Sequence, residues 1–205
     1  MNITIRNECA DDYENILRLT YEAFLTLHYP GRRRTDEHFL IHLLKSSSHV
    51  IPELCFVAEY EGKIVGHILY TKSAFRRTDG SKADTITFGP LSVLPELHRR
   101  GIGAALVRHS MGKAREMGYP AVLIVGVPAY YPKLGFRRAL EYGLALADGS
   151  LADAFMAFEL KPGYLAGGGI HDSWAPEFER TEKDDAGYEA FHSQFMAEHF
   201  PGTYK

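Results

Sequence analysis

Residues 91–107 read L-S-V-L-P-E-L-H-R-R-G-I-G-A-A-L-V, an apolar strand that turns through a proline into a basic, glycine-punctuated helix start. The first amide groups of a helix lack partners inside it and sit at the positive end of its dipole, so they bind anions. Gly101 and Gly103 carry no Cβ to hold a phosphate away from the backbone, and Arg99 and Arg100 add fixed positive charge at the same turn. This is chemistry suited to a pyrophosphate. A P-loop requires Lys and then Ser or Thr after its last glycine, whereas Ala104 and Ala105 stand there. A dinucleotide fingerprint requires a third small residue and a carboxylate closing the next strand. Leu106 occupies the first of these positions, and the strand at 121–127 runs into Val127-Pro128 without a carboxylate. A nucleotide-dependent oxidoreductase is therefore disfavoured.

What remains resembles motif A of the GNAT N-acetyltransferase superfamily, Q/R-x-x-G-x-G/A, matched by His98-Arg99-Arg100-Gly101-Ile102-Gly103. His98 replaces the usual Gln or Arg, but backbone amides rather than that side chain hold the phosphates. Downstream, Pro128-Ala129-Tyr130-Tyr131-Pro132-Lys133-Leu134-Gly135-Phe136 is similar to motif B, a Tyr four residues before Gly-Phe. Residues 1–160 as a whole resemble a bacterial subgroup of predicted acetyltransferases with a P-x-Y-Y-x-x-x-G-F motif. The resemblance implies an α/β fold with a mixed central sheet, helices on both faces and a splayed parallel strand pair. It implies acetyl-CoA as acyl donor, with Leu91 and Val93 offering backbone groups to the pantetheine arm. Arg99, Arg100, Gly101, Ile102, Gly103 and Ala104 would hold the pyrophosphate. The implied reaction is direct attack by a primary amine, on a small molecule or a peptide, in a ternary complex. Tyr131 stands where the family places the proton donor to the leaving thiolate, and a Tyr pKa of about 10 suits that task. Tyr130 is expected in the core.

No base is evident, because residues 86–93 contain no acidic side chain and no His. Glu59 and His67 fall on neighbouring strands and are expected on a hairpin surface. A coenzyme A-binding regulatory or interaction module without chemistry is the alternative, and it would be stabilised by acetyl-CoA without turning it over. The fold does not fix the acceptor.

The elements that must position these residues follow from periodicity and breakers. Ile3 and Ile5 alternate in a strand at 2–6, and Asp11 or Asp12 can cap a helix bearing Ile16, Leu17, Phe24 and Leu27 on one face. Tyr29-Pro30-Gly31 stops it, and Thr35-Asp36-Glu37 opens a second helix reaching Lys45. Strands at 54–60 and 63–72 flank the turn Glu61-Gly62. A strand at 85–94, a helix at 101–117 and a strand at 121–127 form a right-handed parallel crossover. Gly89-Pro90 predicts a bulge or splay in its first strand, since Pro cannot donate to a ladder. A short helix at 129–134 and a hairpin of 136–142 with 154–160 complete the domain.

From Lys161 the character changes. Pro162-Gly163 and Gly167-Gly168-Gly169 suggest a hinge, followed by Tyr188, Phe191, Phe195 and Phe200 at near-helical spacing. This extension, 161–205, suits a docking helix, a lid or the arm of a homodimer. His38 and His42 have the spacing of a zinc helix, but Phe39 stands where H-E-x-x-H requires Glu, so no metal site is expected. Arg32-Arg33-Arg34 reads as a solvated basic turn near the acceptor region, and Arg76 and Arg77 as exposed charges bordering a polar loop at 78–84. A net charge of −3 across 205 residues gives no bulk attraction to nucleic acid or an anionic membrane. The first residues show no signal-peptide pattern, and two cysteines make neither a metal spacing nor a disulfide framework, so a reducing cytoplasm is expected.

Overall fold

In the computed structural model, residues 1–25 and 34–202 are described. Strands β1 (Thr4–Asn7), β2 (Phe56–Tyr60), β3 (Lys63–Arg77), β4 (Lys82–Val93), β5 (Ala121–Val125), β6 (Arg137–Arg138), β7 (Leu144–Leu146), β8 (Phe155–Glu159) and β9 (Gly169–Ser173) form one sheet. Helices α1 (Tyr13–Leu25), α2 (Glu37–Leu44), α3 (Ile102–Glu116), α4 (Pro176–Lys183) and α5 (Asp185–His199) cover its two faces. The strand order is β1-β2-β3-β4-β5-β8-β6, with β9 added beside β3 and β7 beside β9. On one face α3 packs Ile102, Leu106, Val107 and Met111 against Ile68, Tyr70, Ile86, Val122 and Ile124. On the other, α1 and α2 set Ile16, Leu17, Ile41 and Leu44 against Val57 and Leu69, and further along Phe75, Leu123 and Phe155 meet Leu165 and Trp174.

The crossover β4–α3–β5 is parallel, and Ile86↔Val122 is its paired register. Beyond that pair β4 continues to Val93 bonded to β3 alone, with a register shift opposite Gly89-Pro90. The two strands therefore part, as the proline predicts. Val125 is 59% exposed and Val127 47%, so the expected strand at 121–127 loses its cover where the sheet opens.

Three expectations change. β3 runs on to Arg77, and the polar loop shrinks to 78–81, because the polar residues beyond 72 are paired inside the sheet: Ala74↔Asp84 and Arg76↔Lys82 are in register, and Ser73 Oγ lies 2.8 Å from Thr85 Oγ1. Arg76 and Arg77 are consequently strand residues; Arg76 binds Asp172 at 2.8 Å and Arg77 donates to the Tyr164 carbonyl at 3.0 Å. The strand expected at 136–142 stops after β6. Glu141 accepts from Arg137 at 2.6 Å and from the Arg138 amide at 3.2 Å, folding 139–142 into a 3-10 turn.

The segment from Lys161 onward completes the sheet. β9 pairs with the outer half of β3, Ala74↔Ser173 and Arg77↔Gly169. The glycine run expected as a hinge is a tight crossing, where a Cβ on Gly168 or Gly169 would strike the backbone of Gly143 or Arg76. Both glycines also have positive φ, 62° and 148°. α5 turns Tyr188, His192, Phe195 and Met196 inward. Leu27, Tyr29-Pro30-Gly31, Arg32 and Arg33 lie outside the described residues. Arg34 is not a solvated charge: it binds Asp185 at 2.7 Å and stacks on Tyr188 at 3.9 Å, tying the start of α2 to α5.

Candidate active site

The turn from β4 into α3 is shaped by its backbone. Arg99 and Gly101 both adopt left-handed φ, 59° and 86°. Gly101 is the N-cap and supplies no side-chain cap; the bond from Ala105 N to Gly101 O, 2.9 Å, opens the helix. The amides of Ile102, Gly103 and Ala104 thus stand at the open, positive end of α3. Arg99 and Arg100 are exposed beside them, and among the described residues neither is held in an ion pair. Residues 99–104, which the sequence singles out, therefore lie together at this turn.

Space at Gly103 is bounded by the other expected residues. A Cβ there would lie 3.0 Å from Tyr130 Oη, 3.6 Å from Val93 Cγ2 and 3.8 Å from Leu91 Cδ2. Leu91, Val93 and Gly103 are therefore brought together at the mouth of the splay. Val93's carbonyl accepts a hydrogen bond from His98 Nε2 at 2.9 Å, which gives the residue at the departing motif position a role in fixing the turn.

One of the two tyrosines differs from expectation. Tyr130 is not core: it is half-buried with its hydroxyl over the helix start, and burial raises its pKa while Arg108 opposes the shift. Tyr131 packs its ring 5.8 Å from Phe88 and 5.6 Å from Phe136, on the α3 side of the splay. Sequence spacing alone could not separate two adjacent tyrosines whose directions are set by the 3-10 turn Tyr131–Leu134.

Glu59 and His67 are not free hairpin-surface groups. Glu59 accepts from Arg6 at 2.6 and 2.9 Å, and Arg6 also grips Asp12 through two hydrogen bonds, 2.7 and 2.8 Å. That clamp holds the Asp12 carboxyl well below the usual carboxylate range. His67 is 0% exposed and bonds Glu8 at 2.7 Å. Glu59 and the Nε2 of His67 are thus both engaged, while His67 Nδ1 is buried with no partner among the described residues. His38 and His42 also part company: His38 Nε2 meets His192 at 3.0 Å and His42 Nδ1 meets the Tyr13 hydroxyl at 2.9 Å.

A family model described as the acetyltransferase (GNAT) family matches residues 12–136, from the residue before α1 through the tyrosine motif that ends at Phe136. The chain belongs to the GNAT acetyltransferase family. Among curated proteins, the uncharacterised N-acetyltransferase YjhQ of Escherichia coli K12 is 38% identical over 102 residues, 50% of this chain and 56% of that protein. The chain thus matches little more than half the length of that GNAT relative. Among solved structures, the GNAT N-acetyltransferase YhbS of Escherichia coli, crystallised with CoA, superposes with a TM-score of 0.71 at 23% identity, covering 88% of this chain and 93% of that one. A GNAT acetyltransferase of Brucella melitensis, crystallised with acetyl-CoA, gives a TM-score of 0.67 at 24% identity, covering 86% and 98%. At these identities the likeness is one of fold. Among the described residues no helix is long and apolar enough to cross a membrane.

Proposed function

We propose that this chain transfers an acetyl group from acetyl-CoA to a primary amine, by direct attack in a ternary complex. The observation that carries the reading is the convergence at the splay. A helix N-terminus without a side-chain cap, flanked by Arg99 and Arg100, which no ion pair holds among the described residues, faces a strand, β4, whose last residues have parted from β5. The donor set suits a pyrophosphate followed by an amide-bearing arm: the amides of Gly101, Ile102, Gly103 and Ala104 with Arg99 and Arg100 for the anion, and the backbone of Leu91 and Val93 for the arm. The absence of a Cβ at Gly103 leaves room for close approach. Tyr131 would protonate the departing thiolate. The amine acceptor is a small molecule or a peptide, and the family's CoA-bound neighbours lend support to the donor.

Calorimetry and thermal melting with acetyl-CoA test the first half of this reading. A ligand at a hundredfold excess over its dissociation constant adds about 2.7 kcal/mol of stability, so the melting temperature should rise. NADH and ATP should leave it unchanged, since the turn has neither a P-loop lysine nor a ribose carboxylate. Thiol release in the presence of an amine panel tests the second half. Stabilisation without thiol release from any amine would leave a CoA-binding module in place of an enzyme.

A further inference from the structure

On the face of the sheet opposite α3, a row of rings spans the gap between β4 and β5. A Cβ on Gly89 of β4 would meet Phe178 Cε1 at 3.8 Å. From Phe178 the row continues to Trp174 at 6.4 Å, to His171 at 3.7 Å from Trp174, and to Phe155 at 5.7 Å from His171. Phe155 is paired with Val125, the last residue of β5. The two ends of the row therefore rest on the two strands that separate. Phe88, Ile124 and Tyr131 lie on the other side, with α3.

His171 is the polar member of this row. It is 0% exposed, and among the described residues neither Nδ1 nor Nε2 has a hydrogen-bond partner. Burying an imidazole without partners costs free energy, and native interiors seldom leave such a group unserved. Burial pushes its pKa down to about 4 against the opposing influence of its own backbone and of Asp172. The ring is thus neutral at pH 7, and one of its nitrogens is an acceptor. Residues 86–93 supply no acidic side chain and no His at the gap, Glu59 is held by Arg6, and His67 gives its Nε2 to Glu8, so that among the described residues only its Nδ1 lacks a partner, against both ring nitrogens of His171.

We propose that His171 takes the proton of the attacking amine, and that Phe155, Trp174 and Phe178 form the wall for an acceptor whose primary amine is carried on an aromatic or aliphatic stem. This rests on the acetyltransferase reading above. The acceptor reaches His171 by displacing the Trp174 indole that covers it. The neutral amine nitrogen bonds to the acetyl carbonyl carbon and the carbon–sulfur bond breaks. The nitrogen's proton passes to His171, and the thiolate takes the proton of Tyr131. Return of the proton from His171 to Tyr131 through solvent restores both groups, leaving the N-acetyl amine and coenzyme A.

Trp174 is the chain's single tryptophan, so its fluorescence reports the wall directly. With CoA bound, titration with 2-phenylethylamine or n-hexylamine should change that emission saturably, and each should release thiol from acetyl-CoA. His171→Ala should lower kcat about 10²-fold, leave acetyl-CoA affinity unchanged, and recover part of the loss in millimolar imidazole, which a packing role would not. His171→Gln replaces it if the alanine variant does not fold. Phe178→Ala should raise KM for the amine roughly tenfold with kcat retained. If acetyl-CoA binds but neither amine perturbs Trp174 or releases thiol, the inference is overturned while the cofactor reading stands. A kcat loss under about threefold, or one untouched by imidazole, removes His171 from the proton path. Failure of acetyl-CoA to bind in calorimetry overturns the underlying reading instead.

Discussion

A side chain at position 103 has nowhere neutral to go. The first methyl of Gly103→Val would already press on Tyr130 Oη at 3.0 Å and lie against Val93 and Leu91, in the space proposed for the pyrophosphate. Val costs less than Gly in a helix, so the fold should hold. Acetyl-CoA affinity should fall at least tenfold, about 1.4 kcal/mol, by calorimetry. Unchanged affinity in a folded variant would place the phosphates elsewhere. The tyrosine pair allows a sharper comparison, because the two hydroxyls are set apart. Tyr131→Phe should lower turnover about 10²-fold with acetyl-CoA affinity nearly unchanged, the usual scale for loss of a general acid. Tyr130→Phe, whose hydroxyl overlooks Gly103, should act on acetyl-CoA binding rather than on kcat. Steady-state kinetics beside calorimetry separates the two. A drop under about threefold for Tyr131→Phe would reduce it to packing.

Among the elements, α5 is held by an interior of rings and two imidazoles. His38 is 0% exposed, bonded to His192 at 3.0 Å, and its centroid lies 5.0 Å from Tyr21 and 4.8 Å from Phe195. Burial, with His192 adding to it, pushes the His38 pKa down to about 3, and burial also lowers that of His192. An imidazole in the unfolded chain titrates near about 6.5. Below that pH the unfolded chain binds protons that the folded chain refuses, so unfolding gains. This contribution to stability is intact above pH 6.5 and drains away as the pH falls toward 3. Melting temperature should therefore drop between pH 7.5 and pH 5. The drop should be smaller in His38→Leu/His192→Leu, which removes both partners of that hydrogen bond together; equal slopes in the two proteins would refute the assignment. None of this pairing was legible in the sequence, where His38 and His42 stood out by spacing and His192 by nothing. The turn at Gly101–Gly103 was legible because its glycines and its neighbouring arginines stand together in the sequence, where a helix start announces itself locally. The β4–β5 splay was legible because Pro90 cannot donate. The strand lengths of β3 and β6 were not, since Ser73 with Thr85 and Glu141 with Arg137 satisfy each other only once folded. His171 was equally silent, as its setting is made by β9, which pairs with a strand nearly a hundred residues earlier.

For the whole molecule, the segment from Lys161 onward supplies both cover and sheet. Leu165, Phe195 and Met196 are buried in the clusters opposite α3, and at about 1.5–3 kcal/mol each their removal matches much of a domain's net stability of about 5–15 kcal/mol. A chain ending at Leu160 should lose its cooperative melting transition; a sharp transition near that of the full chain would show an independent domain at 1–160. β9 has a further consequence in time rather than in space. During synthesis, residues 74–77 emerge from the ribosome long before residues 169–173 that pair with them, so the outer half of β3 waits with its ladder groups open while the remaining sheet is made. An open strand edge is a template for other chains, and such late, long-range pairing is slow to form. Ribosome-bound chains halted before β9 should therefore recruit chaperones or one another, and emergence of residues 169–173 is the moment at which that exposed edge is closed.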